Sequence, residues 1–179
     1  MEAPLHVIDK AVANKSKEVL LKLLESSFRL GVTYIVIPCV DQSSLRNEKE
    51  IDPFVNQIHQ TLPSAERNGM NLSLETDLAP QPFVKLLDKF SSKKITVNYD
   101  IGNSASLGHD LNEELNAYGN KITDIHIKDC KLNGGPVVLR EGNVSFKIFF
   151  ENLKKLNYEG LLYFKHTETM GVLKYLRSS

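Results

Sequence analysis

Three residues of metal-binding type follow three consecutive predicted strands of the chain. Glu75, Asp100 and His126 stand at or near the ends of the short apolar segments 71–75, 95–100 and 122–127. Because a strand sends alternate side chains to opposite faces, each of the three shares its face with polar neighbours, while apolar residues take the other face. Two carboxylates and one imidazole are suitable ligands for a divalent ion such as Mn²⁺, Mg²⁺, Co²⁺ or Zn²⁺. The pattern predicts a metal site with three protein ligands.

Each of these residues also has an ordinary structural interpretation. A carboxylate at the end of a strand, such as Glu75 or Asp100, often caps the next helix or pairs with a basic side chain. A single strand histidine such as His126 is usually half-buried with its hydrogen bonds satisfied. The metal interpretation is favoured because all three occur in register on successive strands.

Helices and strands alternate strictly along the chain, which predicts how these residues are positioned. Apolar periodicity indicates helices near residues 15–30 and 51–67, the second kinked or divided at Pro63. Strand ends fall near residues 37, 75, 100, 127 and 164, and every interval is long enough for one crossover helix. The alternation predicts parallel strands with helices outside them. Functional groups of such folds lie at the carboxyl ends of the strands.

Composition limits the class of protein and its partners. The 179 residues are 41% hydrophobic and suffice for a single domain over residues 1–179. Lys and Arg number 22, as do Asp and Glu, and this zero net charge argues against nucleic acid as the main partner. Cys39 and Cys130 form neither a disulfide framework nor a zinc finger. We expect no signal peptide and no membrane span, and therefore a cytoplasmic location.

Four segments together resemble the xylose isomerase-like TIM-barrel superfamily, and within it the sugar-phosphate isomerase/epimerase branch. They are Leu72–Pro80, Tyr99–Ser106, Ile125–Asp129 and Val138–Phe146. A full barrel of this family has eight strands, and this chain resembles the fourth to the eighth. The resemblance implies an α/β fold, namely a partial (β/α) TIM barrel of about five parallel strands with outer helices.

The resemblance also implies an activity and assigns roles. Glu75, Asp100 and His126 would bind a divalent metal ion, and Glu75 would in addition act as acid and base. The implied function is a metal-dependent isomerase or epimerase that acts on a sugar or sugar phosphate. Its reaction would be proton transfer through an enediolate, with the metal stabilising the developing charge.

The chain departs from the family pattern at the position of the fourth metal ligand. The family commonly has Glu there, on the last strand, whereas this chain has Lys165. A lysine ammonium has no lone pair for a metal and carries repelling charge. His166 and Glu168 are nearby substitutes, but His166 has the wrong parity and Glu168 lies past the predicted strand. Loss of the second carboxylate should affect epimerisation most, because inversion needs groups on both faces of the substrate.

Four further residues are candidates for substrate binding. Lys128, Lys165 and Arg140 could meet a substrate phosphate, or each could be a solvated surface charge. Asn103 could line the pocket, or it could shape the turn that follows Asp100.

The missing strands leave several interpretations open. Segment 32–38 would present an unpaired strand edge. The chain could be a fragment, it could pair this edge with a second copy as a homodimer, or its N-terminal helix could cover the gap. A catalytically impaired barrel fragment that serves as a binding module is therefore the alternative to a sugar isomerase. DNA repair of the endonuclease IV kind would need a histidine-rich three-metal cluster and a basic face, and the sequence shows neither.

Overall fold

The computed structural model describes residue 5, residues 9–165 and residues 170–174. The chain divides into two compact units. The first consists of Met1–Leu78 with Lys85–Thr96, and the second of Ala79–Val84 with Val97–Ser179. Both units contain helices and strands, and each is described by itself.

The first unit contains two long helices and a pair of strands. Its complete α-helices and strands are α1 (Lys10–Arg29), β1 (Tyr34–Cys39), α2 (Glu48–Arg67) and β2 (Asn71–Thr76). The side chain of Asp9 caps α1 by accepting hydrogen bonds from the backbone N–H groups of Ala11 and Val12. The predicted helix near residues 15–30 therefore begins earlier, where this cap satisfies its first free N–H groups.

Strands β1 and β2 pair in parallel, which sets the depth of the first candidate ligand. Ile37 is opposite Leu74 and Pro38 is opposite Glu75. Leu72 and Leu74 are fully buried, and Glu75 follows them at the carboxyl end of β2. Helix α2 continues across Pro63 as one helix, so the chain is not divided there. Leu62 and Ala65 are buried on either side of this proline, and their packing supports the helix despite the missing N–H group.

The second unit contains most of the predicted site residues. Its elements are α3 (Pro80–Leu87) up to Val84, β3 (Ile95–Asp100) from Val97, α4 (Ile101–Leu107), α5 (Leu111–Tyr118), β4 (Ile122–Ile127), β5 (Asp129–Cys130), β6 (Pro136–Val137), α6 (Phe146–Lys155), β7 (Leu161–Lys165) and β8 (Met170–Lys174).

Strand register within this unit places two predicted ligands side by side. β3 pairs with β4 in parallel, with Asp100 opposite His126, and β4 pairs in parallel with β7, with His126 opposite Tyr163. The last strand, β8, runs antiparallel along β7. Sequence periodicity assigned no structure to this tail. Asp100 and His126 thus lie side by side on the adjacent strands β3 and β4.

Five parallel strands are present among the described residues. β1 and β2 pair in the first unit, and β3, β4 and β7 pair in the second. The predicted α/β class with parallel strands and helices is confirmed. None of the described helices combines the length and the apolar character needed to cross a membrane.

A buried carboxylate ties α5 to β3 and α4 in the second unit. Glu114 accepts hydrogen bonds from the hydroxyl groups of Tyr99 at 2.8 Å, Tyr118 at 2.9 Å and Ser104. Nδ1 of His109 lies 3.5 Å from the same carboxylate. Burial, and then the charge of Glu114, raises the pKa of both tyrosine hydroxyls, so they remain protonated donors. The contacts fix the helices that follow Asp100.

We predict that Glu114→Ala destabilises the protein by about 3 kcal/mol, because three buried hydroxyl groups lose a charged acceptor. The exposed neighbour Glu113 on the same helix provides the matched control Glu113→Ala. Urea denaturation measures both free energies of unfolding. Equal losses in the two variants would contradict the role assigned to Glu114.

Candidate functional site

The carboxylate of Asp100 has two oxygens with different surroundings. Oδ1 accepts a hydrogen bond from the backbone N–H of Asn103 at 2.9 Å and so caps α4. Oδ2 is buried and has no hydrogen-bond partner in the described part of the chain, although two ammonium groups approach it. Nζ of Lys128 lies 3.1 Å away and Nζ of Lys165 lies 3.6 Å away. Helix capping and pairing with basic residues, the two structural interpretations of this carboxylate, therefore both apply to it.

These surroundings keep Asp100 ionised. Burial alone would raise the pKa of this carboxyl group. His126, the Lys128 ammonium, the Asn103 N–H group and the Lys165 ammonium act in the other direction, and the pKa lies below its ordinary value. Asp100 is thus a buried anion that cations surround.

His126 is held next to Asp100 with one ring nitrogen unsatisfied. Nε2 lies 3.2 Å from Nδ2 of Asn98, which also donates to the carboxylate of Asp124. The ring makes an edge contact with Tyr163, with centroids 6.0 Å apart. Nδ1 faces Oδ2 of Asp100 at 3.7 Å and, like that oxygen, is buried without a hydrogen-bond partner among the described residues.

The donor types and the unsatisfied atoms of this pair suit a cation. Buried polar atoms without partners are rare, and each calls for an explanation. A carboxylate oxygen and an imidazole nitrogen that face each other are ligands that divalent transition metals accept. Asp100 and His126 therefore fit a divalent ion, whereas the two ammonium groups beside Oδ2 would repel one.

Lys128 is built into this group of residues. Its Nζ donates to Oδ1 of Asn103 at 2.6 Å as well as lying beside Asp100. Its side chain crosses Gly102, where an added Cβ would lie only 2.3 Å from Cγ of Lys128. Glycine is therefore required at this position. Asn103 acts in the turn after Asp100, as one of its two interpretations expected, and also holds Lys128.

Glu75 lies in the first unit, at the end of β2, and only 8% of its surface is exposed. Cys39 is fully buried in the same unit, and burial, then the charges of Asp77 and Glu75, raises the pKa of its thiol. Glu75 is thus a buried carboxyl group whose charge contributes to the raised pKa of the Cys39 thiol. Its role as a metal ligand and as a base stays a prediction.

Arg140 lies in a loop that a buried carboxylate organises. Asp129 accepts hydrogen bonds from the backbone N–H groups of Arg140 at 2.8 Å, Gly142 at 2.9 Å and Val144 at 3.1 Å. The Arg140 side chain is exposed, and the contacts of the described residues do not join it to Asp100. The structure thus brings Lys128, Lys165 and Asn103 together at Asp100 but does not bring Arg140 there. His166 and Glu168 lie outside the described residues.

Three residues with evident roles were not assigned any from the sequence. Asn98 and Asp124 share the polar faces of their strands with Asp100 and His126, and this parity was the available signal. Asp129 lies within a segment on which the family resemblance rests. Its contacts are to residues 11 to 15 positions later, which no local pattern predicts.

A family model described as "Xylose isomerase-like TIM barrel" matches residues 3–171. The chain belongs to this family, and its fold is a part of such a barrel. The predicted family and the predicted fold class are confirmed.

Particular relatives are sugar epimerases by name. SgbU of Haemophilus influenzae is 30% identical over 167 residues, which is 85% of this chain and 58% of SgbU. L-ribulose-5-phosphate 3-epimerase UlaE of Escherichia coli O1:K1 is 26% identical over 170 residues, which is 88% of this chain and 58% of UlaE. The chain therefore spans little more than half the length of these relatives.

A solved structure supports the same fold. The IolI protein, whose crystal structure contains a bound zinc atom, superposes with a TM-score of 0.76 at 18% identity. The match covers 90% of this chain and 63% of that one. At this level of identity the similarity establishes the fold alone.

We predict that Gly142→Ala loosens the loop that carries Arg140 and costs about 2 kcal/mol of stability, as overpacked sites do. The new Cβ would lie 2.0 Å from Oδ1 of Asp129 and 2.6 Å from the carbonyl oxygen of Cys130. The matched control is Gly135→Ala, because nothing lies within 4 Å of a Cβ there. Urea denaturation and limited proteolysis would compare the variants. Equal stability and equal cleavage of the loop would refute the role of Asp129.

Proposed function

We propose that this chain provides the catalytic residues of a divalent-metal-dependent isomerase or epimerase that acts on a sugar or sugar phosphate. The observation that carries the proposal is the buried pair of Asp100 Oδ2 and His126 Nδ1. These atoms face each other at 3.7 Å, and neither has a hydrogen-bond partner among the described residues. Membership of the xylose isomerase-like family and the sugar epimerases among its relatives support the proposal.

Glu75, Asp100 and His126 are the proposed metal ligands. All three are buried, and all three are of types that bind Mn²⁺, Mg²⁺, Co²⁺ or Zn²⁺. They stand at or near the carboxyl ends of β2, β3 and β4, where parallel α/β folds place their functional groups. The bound ion would supply electrostatic stabilisation of the negative charge that develops on the substrate oxygens.

The reaction proposed for these residues is proton transfer next to a carbonyl group. Glu75 would remove the proton from the substrate carbon and return it after the enediolate forms. Lys128 and Lys165, held beside Asp100, would bind an anionic group of the substrate, and Asn103 would orient Lys128. Arg140 would meet a phosphate from its loop. Return of the proton on the same face to the neighbouring carbon, while the hydroxyl proton moves from one substrate oxygen to the other, gives isomerisation, whereas inversion at the original carbon needs a second group opposite Glu75.

A second function, a binding module without turnover, is favoured by two observations. Lys165 places an ammonium 3.6 Å from the proposed metal ligand Asp100, and the chain spans 58% of the length of SgbU of Haemophilus influenzae. In that case the chain keeps the strands and the residues proposed to bind a sugar but does not catalyse a reaction. A second copy that pairs along β1, which has one strand neighbour among the described residues, is the proposed partner in either case.

We predict that the protein binds about one divalent ion per chain and that His126→Ala abolishes this binding, because one of the few available ligands is lost. His59→Ala is the matched control, since His59 is exposed and its ring packs on Phe90. Sedimentation would report whether the protein has a mass of 20.2 kDa or twice that value. Elemental analysis would then measure the metal content of that species. Wild-type protein that stays free of metal after saturation would refute the metal site.

We predict that the metal-loaded protein exchanges a carbon-bound proton of a ketose or ketose phosphate with deuterium from the solvent. Glu75→Gln should slow this exchange by roughly a hundredfold or more, the usual contribution of a general base. Glu66→Gln, an exposed change in the same unit, is the control. Nuclear magnetic resonance in deuterated water detects the exchange. A folded, metal-loaded protein with no exchange would favour the binding module.

A further inference from the structure

Two positively charged side chains lie beside a single oxygen atom of Asp100. Oδ2 has the Lys128 ammonium at 3.1 Å and the Lys165 ammonium at 3.6 Å, while the Asp100 side chain itself is almost completely buried. Two positive charges around one negative charge leave this group of three residues with a surplus of one. A divalent ion that approached the same oxygen would meet this surplus.

The two lysines are held to different degrees. Lys128 is fixed by its hydrogen bond to Asn103 and by the passage of its side chain over Gly102, and 19% of its side chain is exposed. Lys165 stands at the end of β7 with 31% of its side chain exposed, and Asp100 is the partner that the described residues give it. A long, flexible lysine side chain can move its ammonium into water at little cost. Lys165 is therefore the group that can leave.

We propose that the Lys165 ammonium is a built-in counter-cation of Asp100, which a divalent ion must displace in order to bind. In the protein without metal, Lys165 and Asp100 then form an ion pair. The strength of this pair sets the affinity of the site for metal. This inference rests on the proposed function, because it concerns the same Asp100 and His126 ligands. It accounts for the presence of the Lys165 ammonium beside two buried atoms of metal-ligand type, Asp100 Oδ2 and His126 Nδ1, which lie 3.7 Å apart.

The test compares Mn²⁺ affinity among variants that differ in charge alone. Lys165→Met keeps the length of the side chain and removes the ammonium, whereas Lys165→Arg keeps the charge. Lys154→Met removes one charge from an exposed position of α6 and is the control for net charge. Calorimetric titration should show affinity roughly tenfold or more higher in Lys165→Met, since the ion no longer competes with an ammonium. Lys165→Arg and Lys154→Met should match the wild type.

A measurement without metal tests the ion pair directly. Lys165→Met should lower the thermal midpoint in the wild-type background and have no effect in Asp100→Asn, which is the pattern of a coupled pair. Equal effects in both backgrounds would overturn the inference. So would unchanged Mn²⁺ affinity in Lys165→Met, although metal binding by the wild type would then leave the proposed function standing. Absence of Mn²⁺ binding in every variant would overturn the proposed function and the displacement together.

Discussion

The site depends on how one buried negative charge, that of Asp100, is stabilised. Burying a carboxylate is costly unless it is paired and hydrogen-bonded. The two oxygens of Asp100 have different partners. Oδ1 caps α4, and Oδ2 lies beside the ammonium groups of Lys128 and Lys165. The cap fixes the start of α4, and the first turn of α4 supplies Gly102 and Asn103, which hold Lys128. The local fold and the local charge therefore depend on the same side chain.

Asp129 is a second buried carboxylate, and the described residues give it no salt bridge. Its buried carboxylate is satisfied by three backbone N–H groups, which determine the path of residues 140–144. A carboxylate with several backbone donors is held rigidly, whereas one that faces an ammonium group on a flexible side chain, as Asp100 faces Lys165, can exchange that partner. The contrast indicates that the loop of residues 140–144, which follows β6, is a fixed structural part. The surroundings of Asp100 are the adaptable part of the second unit.

Periodicity was sufficient to predict the five parallel strands and the positions of Asp100 and His126, because both depend on alternation within a few residues. It failed where burial does not follow hydropathy. In α1, the apolar residues Leu23 and Phe28 are 44% and 52% exposed, while Ser16 and Ser27 are buried. Lys128 and Lys165 were predicted near the site, but their meeting on one oxygen involves residues 37 positions apart in the chain. Such contacts follow from the tertiary fold, and no local pattern predicts them.

The antiparallel strand β8 has a consequence for how a barrel could be completed. A closed parallel barrel joins its last strand to its first through the free edge of the last strand. In this chain β8 already occupies that edge of β7, with Leu161 opposite Lys174 and Lys165 opposite Met170. While β8 stays in place, no further parallel strand can hydrogen-bond to β7. A ring in which β7 pairs with a further parallel strand therefore requires β8 to leave this edge first, so β8 blocks that form of ring closure.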